Sequence, residues 1–116
     1  LQFVNSQALA MVDGILSRAT RPVALVMQGD HGASFFSEPL TEEPAQLREA
    51  LTHFNSYYFS DGDYSLLSDK MSSVNSFRVI LNKYFGAQLP MLPSKSYRQT
   101  AGHGSPWQDV TDLLSR

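Results

Sequence analysis

The chain has 116 residues, a length that suits one domain with a modest hydrophobic core. Hydrophobic residues make up 42% and charged residues 17%, which excludes an intrinsically disordered chain, and the net charge of −2 argues against a dedicated nucleic-acid binder. Cysteine is absent, so disulfides, thiolate metal ligands and cysteine nucleophiles are excluded. No apolar run reaches the roughly 18 residues that a membrane-spanning helix needs.

The first segment has the periodicity of an amphipathic helix. Apolar residues recur at helical spacing over residues 2–18, and Pro22 forbids continuation of the helix beyond that point. A continuous apolar run follows at residues 23–27, VALVM, and predicts a strand covered on both faces, as in a parallel sheet. The glycine and serine content of residues 28–36 then predicts a loop.

Later segments alternate between helix and strand. Residues 44–51 predict a short helix, and the segment 52–63, THFNSYYFSDGD, predicts a strand and a turn. Ser73 is placed to cap a second amphipathic helix that Gly86 is placed to end. The segment AQLPMLPSKSYR then predicts an extended chain, and residues 100–116 an irregular tail with a short helix beginning near Pro106.

This order of elements predicts an α/β fold in a single domain, residues 1–116. We expect a partial three-layer α/β sandwich, with a small, partly parallel sheet flanked by helices. Two or three strands make a thin sheet, and the sequence starts at Leu1 rather than at methionine. We therefore expect the chain to be a fragment, either an excised domain or the end of a longer protein.

Asp30 and His31 follow the apolar run at a position where α/β proteins place functional side chains, just beyond the carboxyl end of a strand. A carboxylate oxygen and an imidazole nitrogen are good ligands for zinc and tolerable ones for manganese. The flanking Gly29 and Gly32 allow the backbone to turn both side chains toward one ion. The motif alone also fits a polar turn that contains a hydrogen-bonded His–Asp pair.

Three segments resemble the alkaline phosphatase superfamily in their order and spacing. ALVMQGDHG is similar to the C-terminal metal-binding strand of that superfamily, which includes sulfatases, phosphodiesterases and lipoteichoic-acid-synthase-like phosphotransferases. HFNSYYFSDGD resembles the strand and turn that follow, and SSVNSFRVILNKYFGAQLPMLP resembles the next helical segment. The likeness covers about residues 1–100 and is strongest for bacterial sulfatase-like proteins, which often carry membrane spans upstream. It implies that residues 1–116 are the C-terminal portion of a larger sulfatase-like catalytic domain.

The resemblance implies a divalent-metal site. In the family, the Asp and His of this motif bind a catalytic metal, and the matching positions are Asp30 and His31. We expect Mn, Zn, Mg or Ca in the complete protein, where the metal stabilises the charge on a phosphoryl or sulfuryl group. The family's Ser, Thr or formylglycine nucleophile lies far upstream of this motif. We therefore expect no catalytic residue in this chain, and no activity of the chain by itself.

Three further polar features have simpler interpretations. His103, in TAGHGSPW, is a candidate third metal ligand because two-metal members of the superfamily supply a late histidine, but a loop histidine is the preferred interpretation. His53 is interpreted as a packed, hydrogen-bonded histidine, and Asp61-Gly62-Asp63 as a solvated turn. A triad of Ser34, His31 and Asp30 is disfavoured, because adjacent residues rarely give the required geometry.

The aromatic residues in the middle of the chain predict which surfaces contact other molecules. These side chains pack a sheet edge or line a cleft, and they would form an exposed apolar patch if another part of the protein normally covers them. The expected partners are the missing N-terminal half of the same protein and a second copy, through the sheet or the aromatic patch. We expect no nucleic acid, and membrane contact only through upstream segments. The aromatic residues are Phe35, Phe36, Tyr57, Tyr58, Phe59 and Tyr64.

Two other functions stay open at this point. One is a non-catalytic α/β interaction or structural module in which Asp30 and His31 form a polar turn. The other keeps the family and supposes a degenerate member with a scaffold role.

Overall fold

The computed structural model describes residues 2–33, 44–99 and 104–114. Its helices are α1 (Gln2–Arg18), α2 (Pro44–Leu51), α3 (Ser76–Phe85) and α4 (Thr111–Leu114), and its strands are β1 (Ala24–Gln28), β2 (Asn55–Phe59), β3 (Tyr97–Gln99) and β4 (Trp107–Asp109). The fold is therefore mixed α/β, as the sequence predicts. None of the helices in these ranges has the length and apolarity needed to cross a lipid bilayer.

The strands form two small sheets, β1 with β2 and β3 with β4, and both pairs are antiparallel. The predicted partly parallel sheet is therefore not confirmed for the described residues. The reason lies in α2, whose last turn is docked at the carboxyl end of β1 by a hydrogen bond from Gly32 N to Ala50 O of 2.9 Å. Only residues 52–54 separate α2 from β2, so β2 starts where β1 ends and runs back along it.

The first strand is less covered than its sequence predicts. Leu25, Val26 and Met27 are each half-buried, and both ends of β1 are exposed. In the described part of the chain β1 has a strand partner on one edge only. Its apolar run therefore has more surface than this small sheet can bury.

Helix α1 has the predicted bounds, but none of its residues is buried. Phe3 is 75% exposed, and Val4 and Leu9 are each 64% exposed. Periodicity predicted the helix because it is a local property, whereas burial depends on a partner surface that the described residues do not provide.

The core is small and consists of buried side chains on α2, β2, α3 and the segment before α4. Leu47 and Ala50 of α2 are buried, as are Phe59 of β2, Val79 of α3 and Val110. The Phe59 ring stacks on Tyr64 at a centroid distance of 5.3 Å and meets the edge of Tyr84 at 5.8 Å. Two polar side chains, Asn75 and Ser76, are buried at the start of α3.

A single 3₁₀ turn, Ser73–Asn75, precedes α3. The prediction that Ser73 caps the helix is wrong, because Ser73 lies inside this turn and the residue before α3 is Asn75, whose side chain makes no capping hydrogen bond. At the other end the prediction is confirmed: Gly86 is left-handed, with φ 63°, and its N–H bonds to Leu81 O. Glycine is suited to this position because it has no Cβ to clash.

Two asparagines of this helical segment hold the extended chain that follows it. Asn82 donates from Nδ2 to Leu89 O at 2.8 Å and accepts from Leu89 N at 2.6 Å. Asn75 bonds Leu92 in the same way, with both distances 2.9 Å. Arg78 Nε donates to Pro90 O between them, at 3.1 Å. Side chains thus bind the backbone of Leu89, Pro90 and Leu92, in a segment that pairs with no strand of the described chain.

The predicted tail contains ordered elements. Residues 107–109 form β4 and residues 111–114 form α4, which packs on α2. Lys95 Nζ lies 2.9 Å from Asp109 Oδ2, and Thr111 Oγ1 donates to Asp109 Oδ1 at 2.6 Å. These contacts fasten α4 to the segment before β3.

Candidate functional site

The loop that carries Asp30 and His31 is anchored on both sides. Before it, Gly29 N donates to Phe54 O at 2.8 Å, which extends the β1–β2 pairing by one residue. After it, Gly32 N donates to Ala50 O at the end of α2. A Cβ at Gly32 would overlap Glu49 O and lie 2.5 Å from Thr52 O, so only glycine allows this approach. The apolar strand and the α2 terminus together fix where the Asp30-His31 pair stands.

The two side chains converge. Asp30 Oδ2 lies 3.5 Å from His31 Nε2, and Asp30 Oδ1 accepts a hydrogen bond from His31 N at 3.1 Å. The Asp30 side chain is 89% exposed and the His31 side chain 24% exposed. A carboxylate open to solvent therefore stands beside a mostly covered imidazole.

The imidazole is oriented by the backbone. His31 Nδ1 lies 2.9 Å from Gly32 O, and because a carbonyl can only accept, Nδ1 is the donor. In the neutral ring this bond assigns the lone pair to Nε2, the nitrogen that faces Asp30. A backbone carbonyl that fixes the tautomer in this way is typical of metal-binding histidines. In the protonated ring the same geometry makes an ion pair with Asp30.

The ligand atoms of Asp30 and His31 are of the kinds that bind a divalent cation, but two side chains are few for a metal site. One carboxylate and one imidazole nitrogen suit Zn²⁺ or Mn²⁺. Among the described residues, no group of three or more His, Asp or Glu side chains is placed to hold one ion. A complete site would therefore need ligands in addition to this pair.

The other predicted residues are distributed differently. His103 and Ser34 lie outside the described residues. His53 is half-buried, in agreement with a packed histidine, but its Nε2 is buried with no hydrogen-bond partner. His53 and the Asp30 loop are neighbours, because a Cβ on Gly29 would lie 3.8 Å from His53 Cβ.

The Asp61-Gly62-Asp63 turn is more than a solvated turn. Lys83 Nζ of α3 lies 3.0 Å from Asp61 Oδ2 and 2.6 Å from Asp63 Oδ2, and the Lys83 side chain is only 9% exposed. The hydrogen bond from Lys83 holds the pKa of each carboxyl below its usual value, and the bond to Asp63 raises the pKa of Lys83. This cluster ties the turn after β2 to α3 and is structural in character.

Sequence reasoning missed a chain of hydrogen bonds beside the candidate site. Asn55 Nδ2 donates to the Tyr57 hydroxyl at 2.9 Å, which lies 2.7 Å from Ser76 Oγ, and Ser76 donates to Gln28 Oε1 at 3.0 Å. It joins the end of β1, the start of β2 and the start of α3. In the sequence these residues are visible only as polar residues within apolar segments, and that pattern does not indicate which of them form hydrogen bonds with each other.

Comparison with known proteins adds no relative. No protein-family model, curated protein or solved structure matches this chain. The function is therefore inferred from the residues and their geometry.

Proposed function

We propose that the chain contributes Asp30 and His31 to the divalent-metal site of a phosphate- or sulfate-ester hydrolase or transferase of the alkaline phosphatase superfamily. The observation that carries the proposal is the approach of Asp30 Oδ2 to His31 Nε2, 3.5 Å apart, with Nδ1 of the same ring bonded to Gly32 O. The resemblance of the surrounding segments supplies the reaction class.

The chemistry of the site follows from these two ligands. A bound divalent metal would stabilise negative charge on the phosphoryl or sulfuryl group and lower the pKa of a nucleophile. Asp30 would supply a charged oxygen ligand and His31 a neutral nitrogen ligand. The loop glycines and the Gly32 carbonyl keep both groups oriented before metal arrives. The nucleophile would come from another part of the complete protein, so the chain by itself is proposed to be inactive.

The exposed apolar surface supports a larger catalytic domain. Apolar side chains that a compact domain would bury are exposed on α1, where Phe3 is 75% exposed and Val4 is 64% exposed. The half-buried apolar residues of β1 add to this surface. We propose that further strands extend the sheet at β1, that helices cover it as in a three-layer sandwich, and that the missing N-terminal half supplies them.

One set of contacts favours a second candidate, a non-catalytic α/β module. Asp30 Oδ1 accepts from the backbone of the next residue, and Asp30 Oδ2 is within ion-pair distance of a protonated His31. These contacts need no metal. In this alternative the pair is a polar turn that closes the end of the β1–β2 sheet.

Metal titration separates the two candidates. Adding MnCl₂ to the ¹⁵N-labelled chain should broaden the amide signals of residues 29–32 first, because Mn²⁺ relaxes nearby protons. Binding should be weaker than about 0.1 mM, since two ligands make an incomplete site. Asp30→Asn and His31→Gln should each remove the broadening. Asp69→Asn, at another exposed aspartate, is the matched control and should leave it unchanged.

Two results would contradict the proposal. Broadening that is the same in His31→Gln as in the unmodified chain would favour the polar turn. Micromolar binding that is lost in His31→Ala would show that the site is already complete, against the expectation that the chain holds only part of it.

A further inference from the structure

The outer edge of β1 is open in the described part of the chain. The backbone groups of Val23 and Gly29 point toward β2, where Val23 O and Gly29 N make hydrogen bonds. Because these groups alternate in direction along an antiparallel strand, those of the even-numbered residues point to the opposite edge. The even-numbered residues are Ala24, Val26 and Gln28, and none of the described strands pairs with them on that side.

Strand β1 lacks the features that keep natural edge strands from pairing. Such strands usually carry charged residues, proline or a bulge. The five residues of β1, ALVMQ, include no charged residue and no proline. The open edge is therefore able to add another strand.

Helix α3 lies against the sheet face that carries the side chains of the even-numbered residues. At its start, Ser76 Oγ donates to Gln28 Oε1 of β1 at 3.0 Å and lies 2.7 Å from the Tyr57 hydroxyl of β2, so the helix runs beneath both strands. Farther along the helix, Ile80 lines a groove of about 400 Å³ together with Ala24, at the other end of β1. Helix α3 is thus antiparallel to β1.

An exposed apolar row on α3 lies on the side of the open edge. Phe77, Leu81 and Phe85 are four residues apart, so they share one side of the helix, and all three are exposed. Lys83, which binds the turn after β2, marks the β2 side of the helix. With about 3.6 residues per turn, Ile80 follows Lys83 around the helix and the apolar row follows Ile80. The row therefore lies beyond β1, where an added strand and its helix would cover it.

We propose that a second copy of this chain occupies the open edge, with the two β1 strands antiparallel about a two-fold axis at Val26. Ala24 of each copy then pairs with Gln28 of the other. Two α3 helices beneath adjoining strand pairs lie about 10 Å apart, the usual separation of packed helices. Since Val26 lies above the middle of α3, Phe77 of each copy packs on Leu81 of the other.

The charges at the two ends of β1 favour a second copy over an unrelated partner. Arg21 precedes the strand and Asp30 follows it, and both are exposed. In the antiparallel pair, Arg21 of each copy stands at the end of the strand where Asp30 of the other copy lies. Within one chain the two residues are roughly 30 Å apart in an extended segment, so their attraction acts between copies.

This inference does not rest on the proposed function. In a larger catalytic domain further strands would take the same edge, and in the chain by itself a second copy takes it. A chain that binds no Mn²⁺ would still pair in this way, so the two proposals fail separately.

Disulfide cross-linking without metal tests the register, because the chain has no cysteine of its own. In the proposed pair, Leu25 of one copy lies opposite Met27 of the other, with Cα atoms about 4.5 Å apart, a distance that a disulfide can bridge. A mixture of Leu25→Cys and Met27→Cys chains should therefore form the linked dimer about tenfold faster than either variant by itself. Each variant by itself is the matched control, since residues of like number are more than about 7 Å apart.

Charge reversal at exposed positions gives a second measurement that does not disturb the packed residues. Arg21→Glu should weaken dimerisation about tenfold in sedimentation equilibrium, because two symmetry-related ion pairs become repulsive. Combining it with Asp30→Lys in the same chain should restore dimerisation. Lys70→Glu, the same change of charge at an exposed lysine away from β1, is the matched control and should dimerise like the unmodified chain.

Thermal unfolding of every variant is measured alongside, so that loss of folding is not mistaken for loss of pairing. The proposal is overturned if the cysteine mixture cross-links no faster than its two components. It is also overturned if the combined charge reversal associates as weakly as Arg21→Glu, since an attraction between Arg21 and Asp30 of different copies requires the rescue.

Discussion

At Gly32 the backbone passes so close to the end of α2 that a methyl group has no room. The obstructing atoms are the carbonyl oxygens of Glu49 and Thr52, which belong to the backbone and cannot rotate away. Gly32 N meanwhile donates to Ala50 O at 2.9 Å. The residue after the Asp30-His31 pair thus fixes the loop to α2, as Gly29 before the pair fixes it to β2.

We predict that Gly32→Ala lowers the free energy of unfolding by about 3 kcal/mol or more, because the loop must move away and break its bond to α2. Urea unfolding measures the change. Gly14→Ala is the control, since its Cβ would meet only the end of the flexible Arg18 side chain. It should leave stability unchanged or raise it by about 0.5–1 kcal/mol, the usual gain for alanine over glycine within a helix. Equal losses in the two variants would contradict the packing argument.

The sequence indicated that glycines flank the pair, but it could not give the reason for Gly32. The reason is a contact with Glu49 and Thr52, which are distant along the chain. In the same way, the unpaired Nε2 of His53 follows from packing around β2 and not from the residue type. A motif indicates where the backbone can turn, but it does not indicate which distant residues pack against that turn.

At the scale of elements, ion pairs connect the turn after β2 to helix α3. Lys83 lies between Asp61 and Asp63, and its ammonium group also stands 5.7 Å from the centre of the Phe59 ring. The pKa of both carboxyls is lowered, chiefly by their hydrogen bonds to Lys83. A third acid, Asp109, has its pKa lowered to about 2, first by the Thr111 hydroxyl and then by Lys95.

These pKa shifts predict that the free energy of unfolding falls at acid pH, a fall that we call the acid limb. A carboxyl with a lowered pKa in the folded state contributes stability above its unfolded value of 3.8, and this contribution is lost as pH falls through the folded pKa. The free energy of unfolding should therefore fall as pH decreases from 3.8 toward 2. Lys83→Met should flatten this fall, because Asp61 and Asp63 lose the cause of their shift. Urea unfolding at several pH values measures both curves.

The control is Lys70→Met, at an exposed lysine outside the cluster. It should keep the acid limb of the unmodified chain. If Lys83→Met and Lys70→Met lose stability with the same dependence on pH, the ion-pair explanation is wrong. Asp109 should retain its own part of the limb in both variants, because its partners are Thr111 and Lys95.

The bounds of α1 and α2, and the glycine that ends α3, followed from the sequence because helix periodicity and termination depend on nearby residues. Strand pairing did not follow. The apolar run of β1 fits a parallel sheet, but its partner is decided by where α2 docks. The turn before α3 was also missed, since a 3₁₀ turn and a first helical turn have similar sequences.

At the scale of the whole molecule, exposed apolar side chains are the dominant feature of the described residues. On α1, Phe3 is 75% exposed and Val4 is 64% exposed. On α3, Phe77 is 72% exposed and Phe85 is 73% exposed. An apolar surface of this extent favours association.

We predict that the isolated chain self-associates as its concentration rises and that Phe77→Gln reduces the association. Glutamine is a good helix former, so α3 should persist while the exposed ring is lost. Sedimentation velocity over a concentration series measures the effect. Lys70→Gln, a change at an exposed residue that is already polar, should leave association unchanged. A chain that stays monomeric at millimolar concentration would contradict the prediction.

The contacts of Asn75, in the turn before α3, and of Asn82, in α3, also fix the length of the segment that they bind. Asn75 and Asn82 are seven residues apart, a rise of about 10.5 Å along a helix. Leu92 and Leu89, which they bind in antiparallel order, are three residues apart, or about 10 Å in an extended chain. The two distances match, so each asparagine lies opposite the leucine that it binds. Inserting or deleting one residue between Leu89 and Leu92 would leave one asparagine opposite the wrong peptide group.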